Sequence, residues 1–426
     1  MTDFSVSADP DRALAARKNL TRRRRSELIL KAAGLTAISL AFGMLLILLG
    51  SLISTGWPAF TQTHVTLDVM VDAKRVKADK IAKGNFRAII QEAMIPVFPD
   101  LPEKQAKKHS KILSDATQYL LRDRVVADPS LIGQMVTLTV PVADPYDQLY
   151  KGLIDRDTPE ANRRLKDDEI AGFDRLIAAG MVSKPINWGL ITSADSRFPE
   201  LSGLRGALVG SFYALLTCFV ISFPIGIGAA IYLEEFARKN KVSDFIEVNI
   251  NNLAAVPSVV FGLLALAVFI NWFGLPRSAP FVGGLTLALM TLPTIIIATR
   301  SSLKAVPPSI REAALGVGAS RQQVVFDHVL PLAMPGILTG TIIGLARALG
   351  EAAPLLLIGM NAFITSAPSS PFDASTALPT QILLWADSTE RGFVSRTSAA
   401  VLVLLAFLVL MNAVAIFLRQ KFERRW

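Results

Sequence analysis

Cysteine and histidine are nearly missing from this 426-residue chain. The one cysteine, Cys218, lies inside an apolar run, which makes it a small buried residue. No disulfide can form within the chain, and no zinc site can rest on several thiolates. The three histidines, His64, His109 and His328, are scattered, so they make no clustered metal site. No Gly-x-x-x-x-Gly-Lys-Ser/Thr run occurs, so the chain has no phosphate loop and must borrow any nucleotide hydrolysis. No polar catalytic cluster is visible either, and the chain is not read as an enzyme.

Apolar residues are what the sequence has instead. They make up 51% of it, and the mean hydropathy is +0.43. Several runs reach the ~18–20 residues needed to cross a bilayer. The class is an all-α polytopic membrane protein. The basic segment 1–31 ends in Arg22, Arg23, Arg24, Arg25 and Lys31, and precedes a first span at 32–54. That run is longer than the ~7–15-residue core of a signal peptide. Five more spans are expected at 207–233, 248–273, 281–302, 332–360 and 398–418. Pro257 and Pro293 should kink the second and third of these five.

Residues 55–205 differ in composition. They hold about 21 Lys and Arg against 20 Asp and Glu. A surface helix is expected at 102–126 and another helix at 159–180, and the alternation of 134–140 predicts a strand. The segment is read as a mixed α/β insertion between the first two spans, ahead of a core at 206–426. Because that core begins near residue 200, the insertion is expected to be dispensable for translocation.

Charge sets the orientation. With the amino terminus inside, the inner segments carry Arg22–Arg25, then Arg238, Lys239 and Lys241, then Lys304, Arg311 and Arg321. The last inner segment adds Arg419, Lys421, Arg424 and Arg425. The short outer loops hold only Arg277 and Arg391, which is the positive-inside pattern. The net charge of +9 therefore calls for membrane lipid and no nucleic acid. Both termini fall on the cytoplasmic side, and residues 55–205 fall outside.

The polar stretch 303–331 lies between two inner span ends. Glu312, Ala313 and Ala314 are followed by Gly318 at the sixth position, and Leu330-Pro331 closes the segment. A mid-helix glycine costs about 1 kcal/mol, so two short helices hinged at Gly318 are expected, with Pro331 beginning the next span. This resembles the EAA loop of ABC-importer permeases, with His328 where the pattern has Ile. NNLAAVPSVVFGL (251–263), ARALGEAAPLLLIG (346–359) and ALPTQI (377–382) make residues 200–426 similar to the PstA-type permeases of phosphate importers. The insertion resembles an enlarged first external loop found in some of them.

The resemblance implies a type I importer permease fold with six transmembrane helices in a bacterial inner membrane. It implies partners: a homologous second permease (PstC type), two cytoplasmic ATPases (PstB type) and a periplasmic phosphate-binding protein (PstS type). ATP and Mg would be bound by the ATPases, leaving no cofactor in this chain. Glu312, Ala313, Ala314, Gly318, Leu330 and Pro331 would couple it to them.

In the fifth span, Gly336, Gly340 and Gly344 recur every four residues and suit close helix packing. Arg347 and Glu351 follow, with Arg347 ~22 Å into the span. A charge at such depth is a functional candidate. Spaced i, i+4 on one helix, the two can pair: Arg347 offers donors to a transiting phosphate while Glu351 tempers the charge, or they form a structural ion pair stitching the two permeases together. Lesser candidates are Arg300, expected to snorkel, and Asn251 and Asn252, expected to bond across helices. Two rivals stand beside the phosphate reading. One is a permease for molybdate, sulfate or another solute; the other is a membrane sensor working through its external domain.

Overall fold

The computed structural model describes residues 10–422 except 78, 79 and 239. Lys239, Arg424 and Arg425, counted above among the inner charges, lie outside the described residues, as do the side chains of Arg22 and Lys421. The chain divides into two units, Met1–Ser54 and Thr55–Trp426. Helix α1 (Pro10–Gly56) has 47 residues and is about 70 Å long. No proline interrupts it between 11 and 56, and the large apolar side chains from Leu28 to Leu49 are exposed.

The second unit opens with the inserted domain. Its elements are β1 (His64–Met70), α2 (Phe86–Ala93), α3 (Glu103–Lys108), α4 (Thr117–Ala127), β2 (Met135–Pro141), α5 (Asp144–Tyr150), α6 (Asp167–Ala178), β3 (Val182–Ser183) and α7 (Gly189–Thr192). The antiparallel sheet has the order β2-β1-β3, with His64 opposite Pro141 and Met70 opposite Met135. Val65, Leu67 and Val69 of β1 and Val136, Leu138 and Val140 of β2 alternate into one core. Phe86, Ile89, Leu121, Val125, Phe173 and Leu176 cover that face from the helices.

The strand expected at 134–140 is β2. The helix expected at 102–126 is two helices, because buried Ile112 and Leu113 pull the chain inward and Leu113 bridges Val142. It is not a surface helix either, since Ala106, Leu121 and Val125 are fully buried. The helix expected from 159 starts only at Asp167, where the Lys166 N–H donates to the Glu169 carboxylate at 3.0 Å.

The remaining chain is helical. It comprises α8 (Arg205–Ile231), α9 (Lys241–Ala254), α10 (Ser258–Ala265), α11 (Pro280–Lys304), α12 (Pro308–Gly316), α13 (Arg321–Gln323), α14 (Leu330–Gly350), α15 (Ala353–Leu357), α16 (Leu378–Ala386) and α17 (Gly392–Phe422). Among the described residues, five helices are long and apolar enough to cross a membrane. The span expected at 248–273 is a broken pair: Lys241–Ala254 and Ser258–Trp272 meet at 101°. Pro257 causes more than a kink. It pushes Val256 out of helical conformation and caps α10, so the chain turns a corner. The second arm is ~22 Å long, short of the ~30 Å hydrocarbon thickness. Pro293, in contrast, lies inside an unbroken α11.

Helix α11 is the centre of the bundle, with α8 and α14 packed on it. Gly284 meets Thr217, and Gly226 meets Ile295, so glycines set the α8–α11 approach. At one end of α8, Leu204 and Ala207 pack with Ala59 and Leu190 of the inserted domain and with Trp385 and Phe393. At the other end, Ile231 packs with Leu303, Ala314, Val325 and Val329 of the polar loop. The insertion and the loop therefore occupy opposite ends of a 27-residue helix, about 40 Å apart.

Candidate coupling loop and translocation residues

Helix α12 begins at Pro307-Pro308 and carries Glu312, Ala313 and Ala314. Ala314 is buried against the loop's own core, while Glu312 and Ala313 are exposed. The helix ends in a Schellman motif. The Ala319 N–H bonds to the Ala314 carbonyl at 3.1 Å, and the Gly318 N–H to that of Leu315 at 2.9 Å. Gly318 has φ +89°, and open space surrounds the position of a Cβ there. Its conformation, not crowding, requires glycine. Ser320 and Gln323 then form a reciprocal capping box that starts the next helix. The turn leaves Leu315, Val317 and Phe326 exposed, Val317 by 86%.

The expected break at Leu330-Pro331 is absent. The helix runs from Arg321 to Gly350. A π-turn at Val324–Val329 widens the helix just before Pro331, which lacks an N–H and would crowd the carbonyl four residues back. The second helix of the loop is thus one piece with the membrane helix. His328 and Pro331 line a groove of about 750 Å³ between this helix and Ser302–Ile310. A polar ring therefore stands in this groove where the family pattern has an aliphatic side chain.

Charged clamps fix the loop to the bundle. Arg311 donates to Glu235 at 2.8 Å and to the carbonyls of Leu303 and Val306 at 2.9 and 2.7 Å. Arg300, at the end of α11, pairs with Glu247 at 2.8 Å and Glu234 at 3.4 Å, and Lys304 joins Glu234 at 3.6 Å. Glu234 and Glu235 lie in the π-turn Tyr232–Phe236 that follows α8 and were not singled out from the sequence. Their signal was two carboxylates at a span end otherwise crowded with cations. Asn251 and Asn252 are exposed on α9, and no cross-helix bond is made by either among the described residues.

The glycine stripe packs α14 on α11, but unequally. A Cβ at Gly340 would lie 2.1 Å from Ala298 Cβ, one at Gly336 2.3 Å from Ser302 Oγ, and one at Gly344 3.8 Å from Thr294. Arg347 follows at the edge of this face, with its side chain 55% exposed. Its Nε lies 3.6 Å from Glu351 Oε1. The two do not share a helix, since α14 stops at Gly350 and Glu351 is extended at φ −81°, ψ 115°. The break between α14 and α15 meets α10, where Gly262 lies against Pro354. Irregular backbone at membrane depth is tolerated where protein buries it or a water-filled cavity adjoins it.

A second buried cluster lies at the opposite end. Arg396 of α17 is buried and donates to the Ser202 carbonyl at 2.5 Å. It shares a 20 Å³ cavity with Asp144, Asp147, Lys151 and Glu200. Lys151 bonds Asp147 at 2.5 Å and the Thr61 carbonyl at 2.7 Å; Glu200 accepts from Ser114. Burial pushes the Asp144 and Glu200 carboxyls up and the Lys151 ammonium down. Trp385 Nε1 also donates to Asp195 at 3.0 Å. The inserted domain is fastened to α16 and α17 by these groups, so its removal would strip Arg396 of its counter-charges.

Residues 222–426 match the family described as "Binding-protein-dependent transport system inner membrane component", and residues 17–160 match a "Domain of unknown function (DUF3333)". The "Phosphate transport system permease protein PstA" of Xylella fastidiosa (strain Temecula1 / ATCC 700964) is 32% identical over 248 residues, 58% of this chain and 85% of that protein. The chain belongs to the PstA-type permeases of the binding-protein-dependent family. This permease is also 35% identical to the "Probable ABC transporter permease protein YqgI" of Bacillus subtilis (strain 168) over 43% of its own length; it spans 62% of that relative. In the inward-facing MetNI methionine ABC transporter, one chain is similar over 52% of this permease and 96% of its own length, at 17% identity and a TM-score of 0.41.

Proposed function

We propose that this permease is a transmembrane subunit of an ATP-driven phosphate importer in a bacterial inner membrane. The observation that carries the coupling half is the Schellman turn at Gly318. It holds Leu315 and Val317 out of the loop core, at the turn that leads into the unbroken helix Arg321–Gly350 bearing Arg347. Such an apolar ridge suits a groove on a cytoplasmic ATPase, which supplies the hydrolysis, ATP and Mg. The other partners are a second permease of PstC type and a binding protein of PstS type, with two ATPases of PstB type. The opposite placement of insertion and loop supports an external insertion and cytoplasmic termini. The cargo follows from the relatives' names and from the chemistry of Arg347.

Phosphate needs a compensating charge where the surroundings have a low dielectric constant. The exposed Arg347 fork lies beside a helix break and is tempered, not neutralised, by Glu351 at 3.6 Å. Replacing Arg347 by Gln keeps donors and removes the charge. Uptake should fall at least tenfold while the complex with the second permease and ATPases still purifies. Normal uptake by the variant would refute the charge role and leave packing as the reason for Arg347.

A further inference from the structure

The inserted domain is nearly neutral overall, yet its charge is sorted. Beside α3 runs a groove of about 350 Å³. Five cations line it, Arg87, Lys104, Lys107, Lys108 and Lys111, against one carboxylate, Asp115. Lys107 is paired with Glu103 at 2.5 Å. Among the described residues, none of the other four cations has a carboxylate within 4.0 Å. Lys104 and Lys108 stand one helical turn apart, where like charges repel unless an anion sits between them.

The groove has a second, independent feature. Thr117 lines it, is 2% exposed, and its hydroxyl has no hydrogen-bond partner. A buried hydroxyl left unpaired is destabilising, so its retention at a groove wall calls for a partner that enters from solution. Thr117 also opens α4, an 11-residue helix without a side-chain cap. The positive end of the helix dipole borders the same space, while the Thr117 and Tyr119 N–H groups are already bonded to the Ser114 and Ala116 carbonyls.

Ammonium groups, a helix dipole and a hydroxyl together fit a compact oxyanion with several acceptors and more than one charge. We infer that this groove binds a small phosphate-type anion, at a site distinct from Arg347 and Glu351. The inference goes beyond transport, since no step of translocation requires the site. The phosphate group can come from solution or from a phospholipid headgroup, and the test separates the two.

The full chain, without partners, is placed in phosphatidylcholine nanodiscs, and lysine acylation is read by mass spectrometry. Inorganic phosphate and pyrophosphate are the probes, and exposed Lys74 is the internal reference. Phosphate should protect Lys104, Lys108 and Lys111 at least threefold and saturably, and should do so equally in Arg347→Gln. That persistence separates this site from the translocation path. Lys104→Gln with Lys108→Gln should weaken the protection of Lys111 about tenfold, and Thr117→Val should weaken it too. Protection without added phosphate, seen only when phosphatidylglycerol replaces phosphatidylcholine, would identify a lipid headgroup as the source of the same chemistry. Equal lysine reactivity in both lipids, with and without phosphate, would overturn the site in the unmutated chain.

Discussion

Alanine at Gly340 tests the α11–α14 contact most sharply. The added Cβ would lie 2.1 Å from Ala298 Cβ, against an ordinary carbon contact of about 3.5–4.0 Å. The helices must separate by more than 1 Å or the side of α11 must yield. Overpacking of this kind costs typically ~1–3 kcal/mol, enough to change a folded fraction about five- to hundredfold. Gly344→Ala meets nothing nearer than 3.8 Å and should be almost silent, although it belongs to the same stripe. Thermal stability of the purified chain in detergent is the assay. Gly340→Ala should melt several degrees lower, and adding Ala298→Gly should restore most of the loss. Equal sensitivity at Gly340 and Gly344, or no rescue by Ala298→Gly, would refute the assignment of close approach to this one pair.

Gly318→Ala should impair ATPase coupling more than Gly318→Asn, since a Cβ there meets open space and the ~1–2 kcal/mol penalty of positive φ falls less on Asn, although Asn is larger; an effect that grows with side-chain size in a hydrolysis-per-transport assay would argue for crowding instead. Arg396→Met removes one of two buried cations beside Asp144, Asp147 and Glu200, together with the donor to the Ser202 carbonyl, and should cost ~1–3 kcal/mol, read as increased proteolysis of the inserted domain; an unchanged digestion pattern would exclude a clamp there. The Glu200 carboxyl is raised by burial, so the folded state binds its proton more tightly than the unfolded one does. Its contribution therefore favours folding at low pH and is lost as pH rises from its ordinary value of 4.5 toward the raised folded value. Glu200→Gln should flatten the melting temperature between pH 5 and 7, and an unaltered profile would remove Glu200 as a source of that slope.

Local patterns were the readable part of the sequence. Gly318 and the Ser320–Gln323 box state the loop geometry in a few adjacent residues, and α8, α11 and α17 are uninterrupted apolar runs. The alternation of 134–140 disclosed β2 because its partner β1 buries the same face. What hid was set by distant contacts. Pro257 reads as a kink until the 101° corner shows that α10 packs on Pro354. The end of α14 at Gly350 has no strong stop signal before it, so Glu351 was placed on Arg347's helix. The Glu234 and Glu235 clamps join residues 66 and 76 positions apart. The Arg396 cluster joins α17 to residues near 147 and 200, so the inserted domain looked separable when it shares buried charge with the bundle. The basic groove was concealed by near-neutral composition, because counting charges does not reveal how folding sorts them.

The central claim is that this permease carries phosphate. The direct measurement is uptake of labelled phosphate by cells lacking this chain, with and without its restoration, in competition with unlabelled phosphate, sulfate and molybdate. Restored uptake that only phosphate competes away is the predicted result. Uptake that is unaffected by loss of the chain, or that sulfate or molybdate displaces as well as phosphate does, would contradict it.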